Sequence, residues 1–313
     1  MIFQKNIPLK KYSNYKIGGP ASFFVEFNSA EKLKEILLNW REINGNMDNI
    51  FILGEGTNIL FNDSGFEGLV IKNNLVFLKK EKNLIDVGSG TGFSKVIEYY
   101  AQVGLSGLEW AGGLPGTVGA AVRGNAGAFG GETKDIVLEV ESLNIKTLKI
   151  KKRNNADCNF SYRDSIFKSG EGKNEIILSA KFKFKKGILK EIKKNTQEKI
   201  DYRIERHPLD LPNIGSIFKN VPVRITQQGI REVFKNNIKN DPFPVIPAAK
   251  FLAGSGISGR MIGGAKISEK QPNYIVNFKN AKAEDVKKLI TFAKKKVWDK
   301  YGVSLEEEIT IVP

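Results

Sequence analysis

Between Gly107 and Glu132 the chain runs GLEWAGGLPGTVGAAVRGNAGAFGGE, nine glycines in 26 residues with only three charged side chains. Glycine enters folded structure at an entropic cost and is useful where backbone bends sharply or approaches a ligand closely. A flexible linker would be rich in Gly and Ser and free of Val, Leu, Trp and Phe. Here apolar residues separate the glycines, so the stretch is expected to be folded, with its amides turned toward something large and anionic. A run of tight turns accounts for single glycines but not for this density.

A second glycine loop follows a short buried strand at Ile50–Leu53: Gly54, Glu55, Gly56, Thr57, Asn58. A Gly-x-Gly after a strand is part of a dinucleotide fingerprint, but Ile59 stands where the third glycine belongs. Residues 59–63 also do not continue as an amphipathic helix, so a Rossmann reading fails. The loop can still offer successive N–H groups to a pyrophosphate as an anion nest.

With 313 residues the chain is long enough for two or three domains. It is 41% hydrophobic and 27% charged, ordinary for a soluble protein. No apolar run reaches the ~18 residues needed to span a bilayer. The N-terminal sequence has no apolar core followed by a small-residue cleavage site, so secretion is not expected. A lone Cys158 forms no internal disulfide and suits the cytosol. One histidine (His207) and one cysteine leave no conventional zinc site. Net charge is +15, but the lysines are dispersed, the pattern of a solvated surface, with acidic small ligands the next reading. A cytoplasmic monomer with no metal, no membrane attachment and no nucleic-acid partner is expected. A nucleic-acid-binding protein is the rival from another class; it predicts salt-dependent affinity and a colourless preparation.

Periodicity places strands at Ala21–Phe27, Leu69–Ile71, Val76–Leu78, Ile85–Val87, Ile136–Ile145, Ile177–Phe184 and Tyr274–Val276. It places helices near 30–42, over 93–101 (closed by Gly104), over 188–203 and over 283–301 (capped by Gly302). The tail from Leu305 to Val312 reads as a final strand, with Glu306 and Glu308 on one face and a solvated Glu307 on the other. Boundaries near 72–75 and 204–210 suit an α+β chain of two lobes and a third domain.

Five separated segments, in order, resemble the UDP-N-acetylenolpyruvoylglucosamine reductase (UDP-N-acetylmuramate dehydrogenase) family. They are Ile17–Ala21, Leu53–Asn58, Leu114–Gly127 with its flanks, Tyr162–Lys168 with Gly215–Asn220, and Gly263–Asn277 leading to Gly302–Ile309. The glycine loops alone are shared with related flavin oxidases; the ordered set with YRDSIFK and GSIFKN is specific. The resemblance implies an α+β fold with an FAD-binding domain of the vanillyl-alcohol-oxidase type in two lobes, plus a C-terminal α+β substrate domain. The lobes would be 1–73 with a returning strand 305–313, and 74–205; the substrate domain would be 206–304. The short run from Lys168 to Arg203 is similar to the branch lacking an inserted substrate-capping loop.

The implied reaction has two halves. NADPH reduces FAD, and the reduced flavin passes hydride to the enol-ether CH2 of an enolpyruvyl sugar nucleotide, so negative charge develops beside a carboxylate and a proton must follow. Arg163 matches the family's catalytic arginine, Ser216 the proton donor and Glu308 the third catalytic residue. FAD would be held by Gly54, Glu55, Gly56, Thr57 and Asn58, and by Gly112, Leu114, Pro115, Gly116, Thr117, Gly119, Asn125, Ala126 and Gly127. Substrate would be met by Tyr162, Arg203, Arg206, Asn220 and Gln271, the last standing where many relatives carry His. Leu114 replaces the family's usual Ile, and Ala120 a usual Gly. An FAD oxidase or dehydrogenase of a sugar or hydroxy acid would keep the two glycine loops without needing Arg163, Ser216 and Glu308 together.

Overall fold

The computed structural model describes residues 3–313. Contacts between residues divide the chain into two compact units. The first holds the residues up to Ile7, Ala21–Glu55 and Glu67–Asp201; the second holds Pro8–Pro20, Gly56–Phe66 and Tyr202–Pro313. Strands and helices are both abundant, the α+β composition expected.

Two sheets build the first unit. One has four strands in the order Gln4–Pro8, Pro20–Phe27, Phe66–Asn73, Ile50–Leu53. Helix α1 (Ala30–Asn44) packs with residues of this sheet because Leu33, Ile36, Leu37 and Trp40 recur at helical spacing and are all buried. Its ends are set locally. The Ser29 hydroxyl accepts from Lys32 N at 3.1 Å, and Gly45 closes the helix in the left-handed region at φ 75°. The other sheet is antiparallel, in the order Ile150–Asn154, Val137–Asn144, Glu175–Lys183, Leu84–Gly88, Leu78–Glu81. Ala180, Phe182 and Phe184 point into a core shared with helix α2 (Phe93–Gln102), whose Phe93, Val96, Ile97 and Tyr100 form the matching face. Each buried large side chain of this kind contributes about 1.5–3 kcal/mol.

Between Ile150–Asn154 and Glu175–Lys183 lies a buried ion pair. Arg153 is 2% exposed; its Nη2 donates to Glu175 Oε1 at 2.7 Å, and Ser142 Oγ donates to Glu175 Oε2 at 2.6 Å. Removing one partner leaves the other charge stranded in a dry site. Glu175→Ala is therefore expected to destabilise the protein by about 3–5 kcal/mol, read as a shift of the urea midpoint. A change below about 1 kcal/mol would mean that solvent reaches Arg153 after all.

Helix α3 (Val118–Arg123) lies inside the glycine-rich stretch, and helix α4 (Leu189–Arg206) carries the division between the units. In the second unit, short helices α5 (Gln228–Val233) and α6 (Ala248–Gly254) precede the long α7 (Ala283–Tyr301). Val286, Leu289, Ile290, Ala293 and Val297 of α7 pack over the antiparallel strands Met261–Ile262, Ala265–Ile267 and Ile275–Asn277. The first turn of α7 is capped from far away in sequence, by Asp63, whose carboxylate accepts from Ala283 N at 2.8 Å and Glu284 N at 3.1 Å. Thr310–Val312 pairs in parallel with Ile59–Phe61, Thr310 facing Ile59.

Three local expectations differ. The strand set at Val76–Leu78 begins only at Leu78 and runs to Glu81, because Gly88 and Gly90 bond backbone to backbone with Phe77 and Leu75 and hold the preceding segment as a loop. The tail is a strand only over Thr310–Val312; residues 306–308 instead pair one by one with the loop 217–219. There Glu306 is the exposed acid, at 72%, while Glu307 is 30% exposed and ion-paired with Lys294 at 2.7 Å. Helices α3 and α6 have no counterpart in the periodicity, being short and rich in Gly and Ala.

Candidate active site

Gly54 and Glu55, the part of the shorter glycine loop that belongs to the first unit, meet the longer loop there. Glu55 Oε2 accepts from Gly116 N at 3.1 Å, and Lys72 Nζ donates to the Gly54 carbonyl. The lysine is partly desolvated, which lowers its pKa, against the pull of Glu55 and Glu26. Thr117 caps α3, and a Cβ on Gly54 would come 2.8 Å from its hydroxyl, so Gly54 packs closely against the longer loop.

Most amides of the longer loop are spent at home. Gly112 N bonds Glu109 O, Leu114 N bonds Ala111 O, Val118 N bonds Thr91 O and Gly119 N bonds Ser89 O, at 2.8–3.2 Å. Pro115 has no N–H. The density of glycines there serves close packing: a Cβ on Gly119 would sit 3.0 Å from Ser89 Cβ. The shorter loop is the better nest. The amides of Glu55, Gly56 and Thr57 make no hydrogen bond to another described residue. Gly56 has φ +68°, and a Cβ there would overlap the Tyr12 carbonyl oxygen. Gly56→Ala is thus expected to cost more than the about 1–2 kcal/mol of left-handed strain alone, since the loop must also move off Tyr12. Flavin content per protein and melting temperature should both fall; a variant that kept both would show the loop to be adaptable.

Asn125 and Arg163 meet at the far end of the longer loop. Asn125 is fully buried at φ 42°; its Nδ2 donates to Glu132 Oε1 and to the Ser161 carbonyl, both at 2.9 Å, and its Oδ1 accepts from Lys134 N at 3.0 Å. With its side chain engaged in this way, Asn125 fixes the loop against the Ser161–Asp164 turn. That turn holds Arg163 in the left-handed region at φ 58°, a strained setting for a non-glycine residue. Arg163 Nη2 donates to Gly127 O at 2.8 Å, its guanidinium lies 5.2 Å over the Tyr162 ring, and Lys168 Nζ holds its carbonyl at 2.8 Å. Ala126 N bonds Ala121 O, so Ala126 too belongs to this frame.

The residues present fit a flavin dinucleotide. In the first unit Gly54 and Gly119 have no room for a side chain, and Trp110 Nε1 is buried with no partner among the described residues; in the second, the amides of Gly56 and Thr57 remain open donors.

The second unit brings together Ser216, Glu308 and Arg203. The loop Gly215–Asn220 is clamped from two sides. Ile217 N bonds Asn273 O at 2.8 Å, and Phe218 N and O bond the Asn273 side chain at 3.0 and 2.9 Å. Opposite, Glu308 N bonds Ile217 O at 2.8 Å and Lys219 N bonds Glu306 O at 2.9 Å. Ser216 and Glu308 therefore sit on neighbouring, mutually bonded backbones. Asn58 joins them: its Nδ2 donates to Glu308 O at 3.2 Å and its carbonyl accepts from Thr310 N at 3.0 Å.

Tyr274 lies at the centre of this group. Burial pushes its hydroxyl up to a pKa of about 12, Glu308 adding to the rise while Arg203 and a hydrogen bond with the Ser216 side chain oppose it. His207 Nδ1 is 3.1 Å from the Tyr274 hydroxyl. Its pKa is lowered to about 4, first by burial and then by Arg203 and Lys270, so the ring is neutral at neutral pH. Asn220 Oδ1 accepts from Ala248 N at 3.2 Å and Gln271 O accepts from Tyr274 N at 2.9 Å. Arg206 is exposed, over the Tyr202 ring and 3.3 Å from Glu205. The sequence gives no sign that Asn273, Tyr274 and His207 belong to the site: an Asn, Tyr or His outside a motif carries no signal of a partner more than 50 positions away.

Among the described residues no group of three His, Cys, Asp or Glu side chains could hold a metal, and no helix is long and apolar enough to cross a membrane.

Comparison with known proteins agrees with this geometry. The profile of a family described as FAD binding domain matches residues 21–147, and that of UDP-N-acetylenolpyruvoylglucosamine reductase, C-terminal domain, matches 207–312. The chain is 36% identical to the UDP-N-acetylenolpyruvoylglucosamine reductase of Caldicellulosiruptor bescii, over 99% of this chain and 90% of that protein. It is 40% identical to that of Fervidobacterium nodosum, over 98% and 90%. The crystal structure of UDP-N-acetylenolpyruvylglucosamine reductase from Thermus caldophilus superposes with a TM-score of 0.77 at 26% identity, covering both chains fully. The ordered motifs, the clamped serine loop and these full-length matches agree: the chain belongs to the UDP-N-acetylenolpyruvoylglucosamine reductase family.

Proposed function

We propose that this protein catalyses the NADPH-dependent reduction of UDP-N-acetylglucosamine enolpyruvate to UDP-N-acetylmuramate through FAD, a step of peptidoglycan precursor synthesis. The observation that carries the reading is the pairing of the Ser216 loop with the Glu308 segment, beside Arg203, in a family member matched over its whole length. The chemistry FAD supplies when bound is hydride carriage from NADPH to the substrate's vinyl carbon.

The chain's own residues do the rest. Glu55, Gly56 and Thr57 would present amides to the cofactor's pyrophosphate, and the 112–127 loop would give its shape to the flavin site. Arg163, permanently charged and capable of bidentate contact, would hold the substrate carboxylate and neutralise charge developing next to it. Ser216 would deliver the proton to the adjacent carbon. A hydroxyl is a weak acid, so it serves only a strongly basic carbon within hydrogen-bond reach. Glu308 would act on the same developing charge when protonated. Arg203, Arg206, Asn220, Tyr162 and Gln271 are the candidates to meet the sugar nucleotide. The domain plan that goes with this reading is 1–73 with 305–313, 74–205 and 206–304, and the protein would act as a cytoplasmic monomer of the branch without a capping insertion.

The test is NADPH oxidation by the flavin-loaded enzyme with and without the enolpyruvyl sugar nucleotide. Oxidation that depends on this substrate supports the reading. Oxidation of a sugar or hydroxy acid with no response to the enolpyruvyl compound would replace it with the oxidase alternative.

A further inference from the structure

The chain's only histidine has no part in the chemistry above, yet it reaches Tyr274, the serine's neighbour. Tyr274 Oη is 3.1 Å from His207 Nδ1, and Tyr274 neighbours Ser216, whose loop is bonded to the adjacent Asn273 through Ile217 N at 2.8 Å and whose side chain acts on the phenol. The rings of His207 and Tyr274 lie 5.0 Å apart at 35°, and Tyr202 packs edge-on to the histidine. Tyr274 is 6% exposed, whereas His207 is only partly buried. The three groups form a file from a site hydroxyl, through a dry phenol, to an imidazole that solvent reaches. A serine that has given up its proton must recover one.

We propose that Tyr274 and His207 are positioning residues that resupply the Ser216 proton from solvent. The inference rests on the reading of Ser216 as proton donor. As the Ser216 Oγ–H bond breaks and the new C–H bond forms, the Tyr274 phenolic proton passes to Ser216 Oγ. The His207 Nδ1 proton passes to Tyr274 Oη, and His207 Nε2 takes a proton from water. One solvent proton is consumed, no electron moves through the file, and the imidazole ends as its other neutral tautomer, restored by exchange with solvent. The ring never needs to become a cation, which agrees with its depressed pKa beside Arg203 and Lys270. A phenol with a raised pKa is likewise a carrier only when a strong base, the serine alkoxide, pulls on it.

The experiment compares flavin-loaded wild type, Ser216→Ala, Tyr274→Phe and His207→Gln by stopped-flow, following flavin reoxidation by the enolpyruvyl sugar nucleotide. Flavin reduction by NADPH in the same preparation is the internal reference. Tyr274→Phe and His207→Gln are each expected to slow reoxidation about tenfold relative to that reference, a fraction of what a general acid supplies. The dependence of the rate on deuterium content should be curved in wild type, where several protons move together, and straight in Tyr274→Phe. Wild-type rates in both relay variants, with Ser216→Ala slow, overturn the relay and leave the serine assignment standing. Slow variants with an unchanged deuterium dependence also overturn it, since a packing role would give that result. A wild-type rate in Ser216→Ala removes the donor itself, and the relay with it.

Discussion

Ser216→Ala is expected to slow the reoxidation of reduced flavin by substrate about 10²–10⁴-fold while leaving its reduction by NADPH within a few-fold of wild type. The asymmetry follows from where the hydroxyl is needed. The loop that carries it is clamped through backbone atoms of Ile217, Phe218 and Lys219, none of which the substitution touches. The serine is only half-buried, so losing one oxygen opens no cavity of consequence. What disappears is a positioned proton for a carbon that has just received hydride. A comparable loss in both half-reactions would show that the substitution had disturbed the cofactor, and would remove Ser216 from the donor role.

The second large effect is expected at Arg163. Its side chain and its backbone make separate contributions, so two variants divide them. Arg163→Gly should relieve the left-handed strain of φ 58°, about 1–2 kcal/mol, and return much of that as unfolded-chain entropy, leaving stability within about 1 kcal/mol of wild type. The same variant should lose about 10²–10³ in the substrate half-reaction, the range found when one donor to a developing oxyanion is removed. Arg163→Lys keeps the charge but not the fork, and should recover only part of the rate. Unimpaired turnover in Arg163→Gly would show that the guanidinium serves only to pin Gly127.

How far the sequence led depended on the kind of signal. Helices α1 and α7 and the strand Glu175–Lys183 were legible because each buries one face, and burial imposes its period on the residues. Helix α3 was not, since a six-residue helix of Val, Gly and Ala ending in Arg123 has too little apolar periodicity to stand out from the glycines around it. The tail misled because its Leu, Ile, Thr and Val residues suit a strand, although Leu305, Ile309 and Val312 are buried without a strand's alternation and only Thr310–Val312 join a ladder. At the candidate site, charged and glycine motifs carried the reading. The supports could not be read the same way: Asn273 grips Phe218 from 55 positions away, and His207 reaches Tyr274 across 67. Contacts of that length are made by topology, and an ordinary Asn, His or Tyr records nothing of them.

The parallel pairing of Thr310–Val312 with Ile59–Phe61 has a bearing on how the protein is made. A ribosome delivers Asn58 and the strand after it 250 residues before the Glu308 segment that they bond. At synthesis rates of roughly 5–20 residues per second, that edge waits on the order of ten seconds or more with its hydrogen bonds unmade. A bare strand edge is a template for pairing with another nascent chain. Translation speed over the intervening residues, and whatever shields Ile59–Phe61 meanwhile, should therefore govern how much of this polypeptide reaches a form able to take up its cofactor.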